Sequence, residues 1–150
     1  MTAGARAALV AATTVAADQA VKALVRSTIE RGDEVDLFLG IQLVNVRNRG
    51  IAFGLFSDGG VLLVLFAIAA LGALLVFFAR HRDRPLVWLP TGLLIGGATG
   101  NLIDRTREGA VTDFIDLPLW PAFNIADVAI TFGVLTLLYV LEGPPRHGRG

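Results

Sequence analysis

The chain has no cysteine, one methionine, one tyrosine and only two serines, Ser27 and Ser57. Without cysteine there are no disulfides, no thiolate zinc sites and no thiol nucleophile. Its two histidines, His81 and His147, sit beside arginines in a loop and in the tail. The nucleophiles and bases common in hydrolases are therefore mostly absent, and carboxylates remain. An excess of one charge is missing too: 13 basic and 13 acidic residues cancel. That balance argues against a nucleic-acid partner. Neither a metal-ligand set nor a cofactor motif is expected.

What the chain has is apolar length. Of its 150 residues 54% are hydrophobic and 17% charged, and the mean hydropathy is +0.65. A soluble domain is rarely so apolar. One membrane span needs ~20 apolar residues, so the length accommodates about four. We expect them over residues 7–25, 61–79, 86–103 and 123–141, in a single membrane domain covering 1–150. The second stretch is uncharged and free of proline. The first also fits a cleavable signal peptide, but is expected to be a retained helix. In it Asp18 and Lys22 lie four apart on one face, with the acid first, the favourable order for an ion pair. They are read either as a helix end reaching the headgroups or as a structural pair buttressing a site.

Residues 35–48 alternate apolar and polar with a period of two, with a phase slip at Val44 that suggests a bulge. A small surface sheet is expected over about 35–56, between the first two helices. The fold class is thus membrane all-α, four transmembrane helices with a small extracytoplasmic sheet. Residues 105–122 read as a connection. In the third helix Gly92, Gly96 and Gly100 recur every fourth residue, and Asp104 continues the series. Small residues so spaced let another helix approach closely.

Arg80, Arg82 and Arg84 crowd one short loop, and basic loops prefer the cytoplasm. With four spans, both termini are then cytoplasmic. Basic residues divide almost evenly between the two sides, so the arginine loop and the span parity carry this orientation. Asp18, Lys22, Asn48, Asn101, Asp104, Asp113, Asn124 and Asp127 then fall at one level, the outer surface. Carboxylates in or beside a membrane are costly and are kept mainly for function. Asp113 and Asp127 are read as converging on one scissile bond. A proton-coupled transporter or channel subunit is the alternative, although acids near one surface and the lack of a repeated half disfavour it. A non-enzymatic assembly factor using the glycine face is a third reading.

Five stretches resemble the lipoprotein signal peptidases, or signal peptidase II. They are Asp18-Gln19-Ala20-Val21-Lys22, Asn48-Arg49-Gly50-Ile51-Ala52-Phe53, Gly100-Asn101-Leu102-Ile103-Asp104-Arg105, Val111-Thr112-Asp113-Phe114 and Phe123-Asn124-Ile125-Ala126-Asp127. Their order agrees over nearly the whole chain. The resemblance implies a bacterial inner-membrane aspartic endopeptidase, multi-pass and monomeric, with its site near the extracytoplasmic surface. Its partners would be membrane lipids and a diacylglyceryl-modified prolipoprotein, cut just before the lipidated cysteine. Asp113 and Asp127 match the family's catalytic pair. Supporting or substrate-contacting positions would be Asp18, Lys22, Asn48, Gly50, Asn101, Asp104, Arg105, Asn124 and Ala126.

Overall fold

A computed structural model describes residues 1–50 and 59–142. The Ile51-Ala52-Phe53 part of the second motif, the end of the expected strand region and the basic tail lie outside the described residues. The elements run α1 (Ala3–Thr28), β1 (Glu34–Phe38), β2 (Ile41–Asn48), α2 (Gly59–His81), α3 (Trp88–Glu108), β3 (Val111–Leu117), β4 (Trp120–Phe123) and α4 (Ile125–Glu142). Thr2 caps α1 by accepting from the Ala5 N–H at 3.2 Å, which satisfies one orphan donor of the first turn.

Among the described residues three helices are long and apolar enough to cross a membrane, over Ala3–Thr28, Val61–His81 and Ile125–Glu142. The third segment differs from its expected span. It starts at Trp88 rather than Leu86 and runs on to Glu108, so its last turns carry Asp104, Arg105, Arg107 and Glu108. This helix lies in the middle, packed against α1, α4 and α2. Its buried polar residues Asn101 and Asp104 turn toward α1 and α4, while Thr106 and Arg107 near its end are exposed.

The glycines explain how α3 occupies that place. A Cβ at Gly92 would lie 2.7 Å from the Ala7 carbonyl oxygen, and one at Gly96 would lie 2.6 Å from Thr14 Cβ. At Gly100 it would meet Asp18 Oδ2 at 2.7 Å. The expected small-residue face therefore packs on α1. A second line begins at Gly97, where a Cβ would meet the Ala126 carbonyl oxygen of α4 at 2.5 Å. We predict that Gly96→Leu costs ~1–3 kcal/mol or more, the scale of overpacking, and lowers folded yield in detergent. Unchanged yield and melting temperature would mean that α1 does not press on this face.

The sheet is larger than expected. Among the described residues it is four-stranded and antiparallel in the order β1-β2-β3-β4. Half of it comes from the α3–α4 connection, so it does not belong to the first two helices alone. Residues 35–48 form a hairpin, not one strand: Phe38 pairs with Ile41 across a two-residue loop. Leu39 and Gly40 there have φ of 52° and 78°, as a type I′ turn requires. A two-residue loop alone would invert the parity of alternation, since Phe38 and Ile41 are three apart, but the register shift between Asp36 and Phe38 restores it. Asp36 pairs with Gln42 and Val35 with Leu43, which is why the pattern reads through the turn. The β3–β4 hairpin turns at Pro118-Leu119, with Leu119 at φ 65°, the type II pattern.

The irregularity expected at Val44 is present. Leu43 pairs with Ile115 and Val46 with Asp113, so β2 carries one extra residue between these pairs. One residue of shift exchanges the faces of a strand. The bulge thereby puts Asn48 and Val46 on the face of β3 that carries Asp113. Val25, Ile29 and Phe114 form a core that ties the end of α1 to the sheet, with Leu43, Ile115 and Ile125 against it. Each buried apolar side chain of this size contributes ~1.5–3 kcal/mol.

Candidate active site

The start of α4 fixes the first candidate carboxylate. Asn124 is the residue before the helix, and its Oδ1 accepts from the Asp127 N–H at 2.9 Å. In return Asp127 Oδ2 accepts from the Asn124 N–H at 3.2 Å. This is a reciprocal capping box, here with an aspartate at its third position. The other oxygen, Oδ1, accepts from Asn101 Nδ2 at 2.9 Å. A helix cap thus sets the position of Asp127, which stays half-buried.

Asp113 comes from β3 and is buried. Its Oδ1 accepts from Asn124 Nδ2 at 2.7 Å and its Oδ2 from Asn48 Nδ2 at 2.9 Å. One residue, Asn124, therefore touches both candidate acids. Each of the three asparagines is pinned by its carbonyl oxygen so that its NH2 faces a carboxylate. Asn48 Oδ1 accepts from the Gly50 N–H at 2.8 Å. Asn101 Oδ1 accepts from Lys22 Nζ at 3.0 Å, and an ammonium can only donate. Gly50, at φ 73°, supplies a backbone that most side chains disfavour.

Beneath the pair lies a buried charge cluster. Lys22 is fully buried, 2.8 Å from Asp18 Oδ2 and 2.9 Å from Asp104 Oδ2. Asp18 Oδ1 also accepts from the Ala126 N–H at 3.0 Å, a second donor satisfied at the start of α4. This contact accounts for Ala126, which brings a backbone donor rather than a reactive side chain. Thr112 N–H donates to Asp104 Oδ2 at 3.1 Å. Among the described residues no buried side-chain nitrogen or oxygen lacks a partner.

One member of this cluster, Gln19, and one residue beside it, Glu108, escape the sequence reading. Gln19 Nε2 lies 2.9 Å from Asp104 Oδ1, 3.1 Å from the Gly100 carbonyl oxygen and 3.3 Å from Asp18 Oδ2. Its signal was a polar side chain in an apolar stretch, hidden beside the more conspicuous Asp18. Glu108, bridging Arg26 and Arg47, falls in the stretch expected to be a connection and is instead the last residue of α3. Its two arginines join α1 and β2 to the end of α3 on the sheet face away from Asp113.

Burial pushes the Asp113 carboxyl up to about 6 from an ordinary 3.8. The Asn48 and Asn124 hydrogen bonds and the Lys22 charge oppose this rise, and the nearby Asp127 charge adds to it. Because the folded value is the higher one, the folded state binds the proton more tightly. Its stabilising contribution is complete below 3.8 and is lost as pH rises through about 6.

A cavity of about 520 Å³ opens beside the pair, between α2, α3 and α4. Leu63, Phe66, Leu71, Leu94 and Ile130 line its length, while Asp127, Asn101 and Arg105 supply its polar wall. Arg105 is half-buried and stands at this wall rather than in the charge cluster. Among the described residues no group of three or more histidines, aspartates or glutamates is placed to hold a metal ion.

Residues 10–142 match the family model of signal peptidase (SPase) II. A lipoprotein signal peptidase of Halothermothrix orenii is 36% identical over 132 residues, 87% of this chain and 91% of that protein. One from Syntrophomonas wolfei is 47% identical over 111 residues, 73% of this chain and 74% of its own length. A bacterial membrane enzyme structure solved by the in meso method superposes with a TM-score of 0.85 at 32% identity. It covers 95% of this chain and 94% of its own. These matches give the transporter reading no support. A match that runs from the first turns of α1 to the last residue of α4 makes the chain a member of the signal peptidase II family of bacterial membrane proteases.

Proposed function

We propose that the protein is an aspartic endopeptidase that removes the signal peptide from diacylglyceryl-modified prolipoproteins, cutting before the lipidated cysteine. The observation that carries this reading is the apolar cavity with Asp127 in its wall and Asp113 one asparagine away. A groove lined by leucine, phenylalanine and isoleucine suits acyl chains or the apolar run of a signal peptide, and brings either to a carboxylate.

The chemistry follows from the environments of the two acids. Two close carboxyls cannot both ionise cheaply, so they share one proton. Asp113, buried and raised to about 6, holds it. Asp127, facing the cavity, is the base and takes a proton from a water molecule as that water attacks the scissile carbonyl. Asp113 donates to the carbonyl oxygen. As the tetrahedral intermediate collapses and the C–N bond breaks, Asp127 passes the proton it took from water to the leaving amine, and Asp113 recovers its proton from the diol hydroxyl. Asn48, Asn101 and Asn124 hold the pair in place. Asp18, Lys22 and Asp104 support them, and Arg105 contacts substrate or lipid from the cavity wall. On this account kcat/KM falls as pH rises through about 6, approaching roughly tenfold per pH unit. A flat profile from pH 5 to 8 would contradict it.

The four helices are read as four spans, with α3 shielded by its neighbours and the site at the outer surface. A reporter fused after Asp83 should read cytoplasmic, and one inserted at Asp33 extracytoplasmic. Opposite signals would overturn this side of the membrane. The activity itself is tested with purified protein in detergent and a precursor with and without its diacylglyceryl group. Release of the signal peptide from the lipidated form is expected. No release from either form would refute the reading.

A further inference from the structure

The distal end of the sheet, away from the helix ends, is built unlike a tip exposed to water. The two hairpin turns touch: a Cβ at Gly40 would lie 2.9 Å from Pro118 Cγ. Together they present Phe38, Leu39, Leu119 and Trp120, which are 64%, 89%, 104% and 66% exposed. No charged residue falls within 37–41 or 117–122. Hairpin turns in water favour glycine, asparagine and aspartate, which adopt positive φ at least cost and hydrogen-bond locally. Here two leucines take the left-handed conformation, at φ 52° and 65°, where a bulky residue is an outlier. Both are then turned fully outward. In water each would be unfavourable twice, through its backbone and through its exposed side chain.

We propose that this double-turn tip is a membrane anchor, with Leu39 and Leu119 seated in the headgroup–acyl boundary of the bilayer and Trp120 at the interface beside them. The occupant is lipid, because the exposed, uncharged tip leads within a few residues into an apolar helix of membrane-spanning length. Trp120 lies five residues before Ile125, where a helix long and apolar enough to cross a membrane begins. Tryptophan is enriched at that level of a bilayer. The polar residues of this half of the sheet stand behind the tip on one face, where Asp36, Gln42 and Asp116 lie in a cross-strand row and Gln42 donates to Asp36 at 2.7 Å. That arrangement leaves one apolar end and one polar face, as an interfacial element requires. Anchoring would hold the sheet, and with it Asp113, at a set height over the membrane. The proposal needs membrane residence only, and its test reads no cleavage, so it stands or falls apart from the peptidase reading.

The chain has two tryptophans, Trp88 and Trp120, so Trp88→Phe leaves Trp120 as the sole indole probe. The full-length variant is reconstituted into phosphatidylcholine–phosphatidylglycerol vesicles. Trp120 fluorescence is then read against lipids brominated near the headgroup end of the acyl chain and against aqueous iodide. Strong quenching by bromolipid and weak quenching by iodide are expected. Adding Leu39→Asn and Leu119→Asn, which suit the left-handed turns but not lipid, should reverse the order. Strong iodide quenching without bromolipid quenching in the parent would overturn the proposal. So would protection from both quenchers, which would place a second copy or another part of the chain on the tip. Unchanged quenching in the asparagine variants would remove the leucines from the anchor and overturn it equally. Should Trp88→Phe fold poorly, the difference between wild type and Trp120→Phe supplies the same reading.

Discussion

Asp113→Asn and Asp127→Asn should each abolish cleavage while leaving a protein that folds and binds precursor. The expected loss is on the order of 10⁴-fold or more, the scale on which catalytic residues of other hydrolases act. Asparagine keeps the size of the side chain and removes its proton chemistry. It also turns an NH2 toward an existing donor, since both oxygens of each acid accept from N–H groups. That mismatch costs ~1–3 kcal/mol, which a lower melting temperature would show without loss of the fold. Asp116→Asn is the control from the same strand. Asp116 is three residues from Asp113, on the opposite face of β3 beside Gln42, and its variant should keep substantial activity. An Asp113→Asn protein that is folded and still cuts at near the wild-type rate would dissolve the pair.

Lys22→Met should fail in a different way, by losing the fold. The methionine stem fills nearly the same volume but leaves Asp18 and Asp104 facing each other with no counter-charge. Lys22 is fully buried and makes three contacts of 2.8–3.0 Å. Removing one partner of a buried ionic cluster costs ~3–5 kcal/mol, a large part of the ~5–15 kcal/mol that holds a domain folded. Lys22→Arg should not restore it, because a planar guanidinium cannot direct its donors as a compact ammonium does. Asp18→Asn and Asp104→Asn should lose yield and activity together for the same reason. The check is melting temperature and folded yield in detergent, with precursor binding. Normal melting of Lys22→Met with activity intact would mean that the cluster supports nothing. A folded Lys22→Met without activity would move Lys22 from support to chemistry.

The helical part of this arrangement was legible because membranes impose length and apolarity on any span, and glycine spacing survives in sequence. The i, i+4 spacing of Asp18 and Lys22 likewise announced its ion pair. The strands of residues 111–123 were not legible, although Val111, Asp113, Ile115 and Leu117 share one face. Polar and apolar residues do not separate cleanly along that strand, since its candidate acid points toward the site and Phe114 into the core. The turn at Leu39-Gly40 stays hidden because the register shift between Asp36 and Phe38 offsets the parity change of a two-residue loop and brings the alternation back into phase. Asn124 illustrates a further limit. Its spacing to Asp127 placed both on one helical face, but its bond to Asp113 depends on how β3 and β4 fold back, which no local pattern encodes. Gln19 was missed because its partners lie 81 and 85 residues away.

The central claim is that Asp113 and Asp127 act as one catalytic unit. It is tested most directly by the residual cleavage rate of the double variant beside the two single ones, each shown to be folded by its binding of lipidated precursor. Members of one unit are not additive. The account therefore predicts three nearly equal residual rates, all close to background. A double variant far slower than either single one, or a single variant that retains most of the wild-type rate, would contradict it.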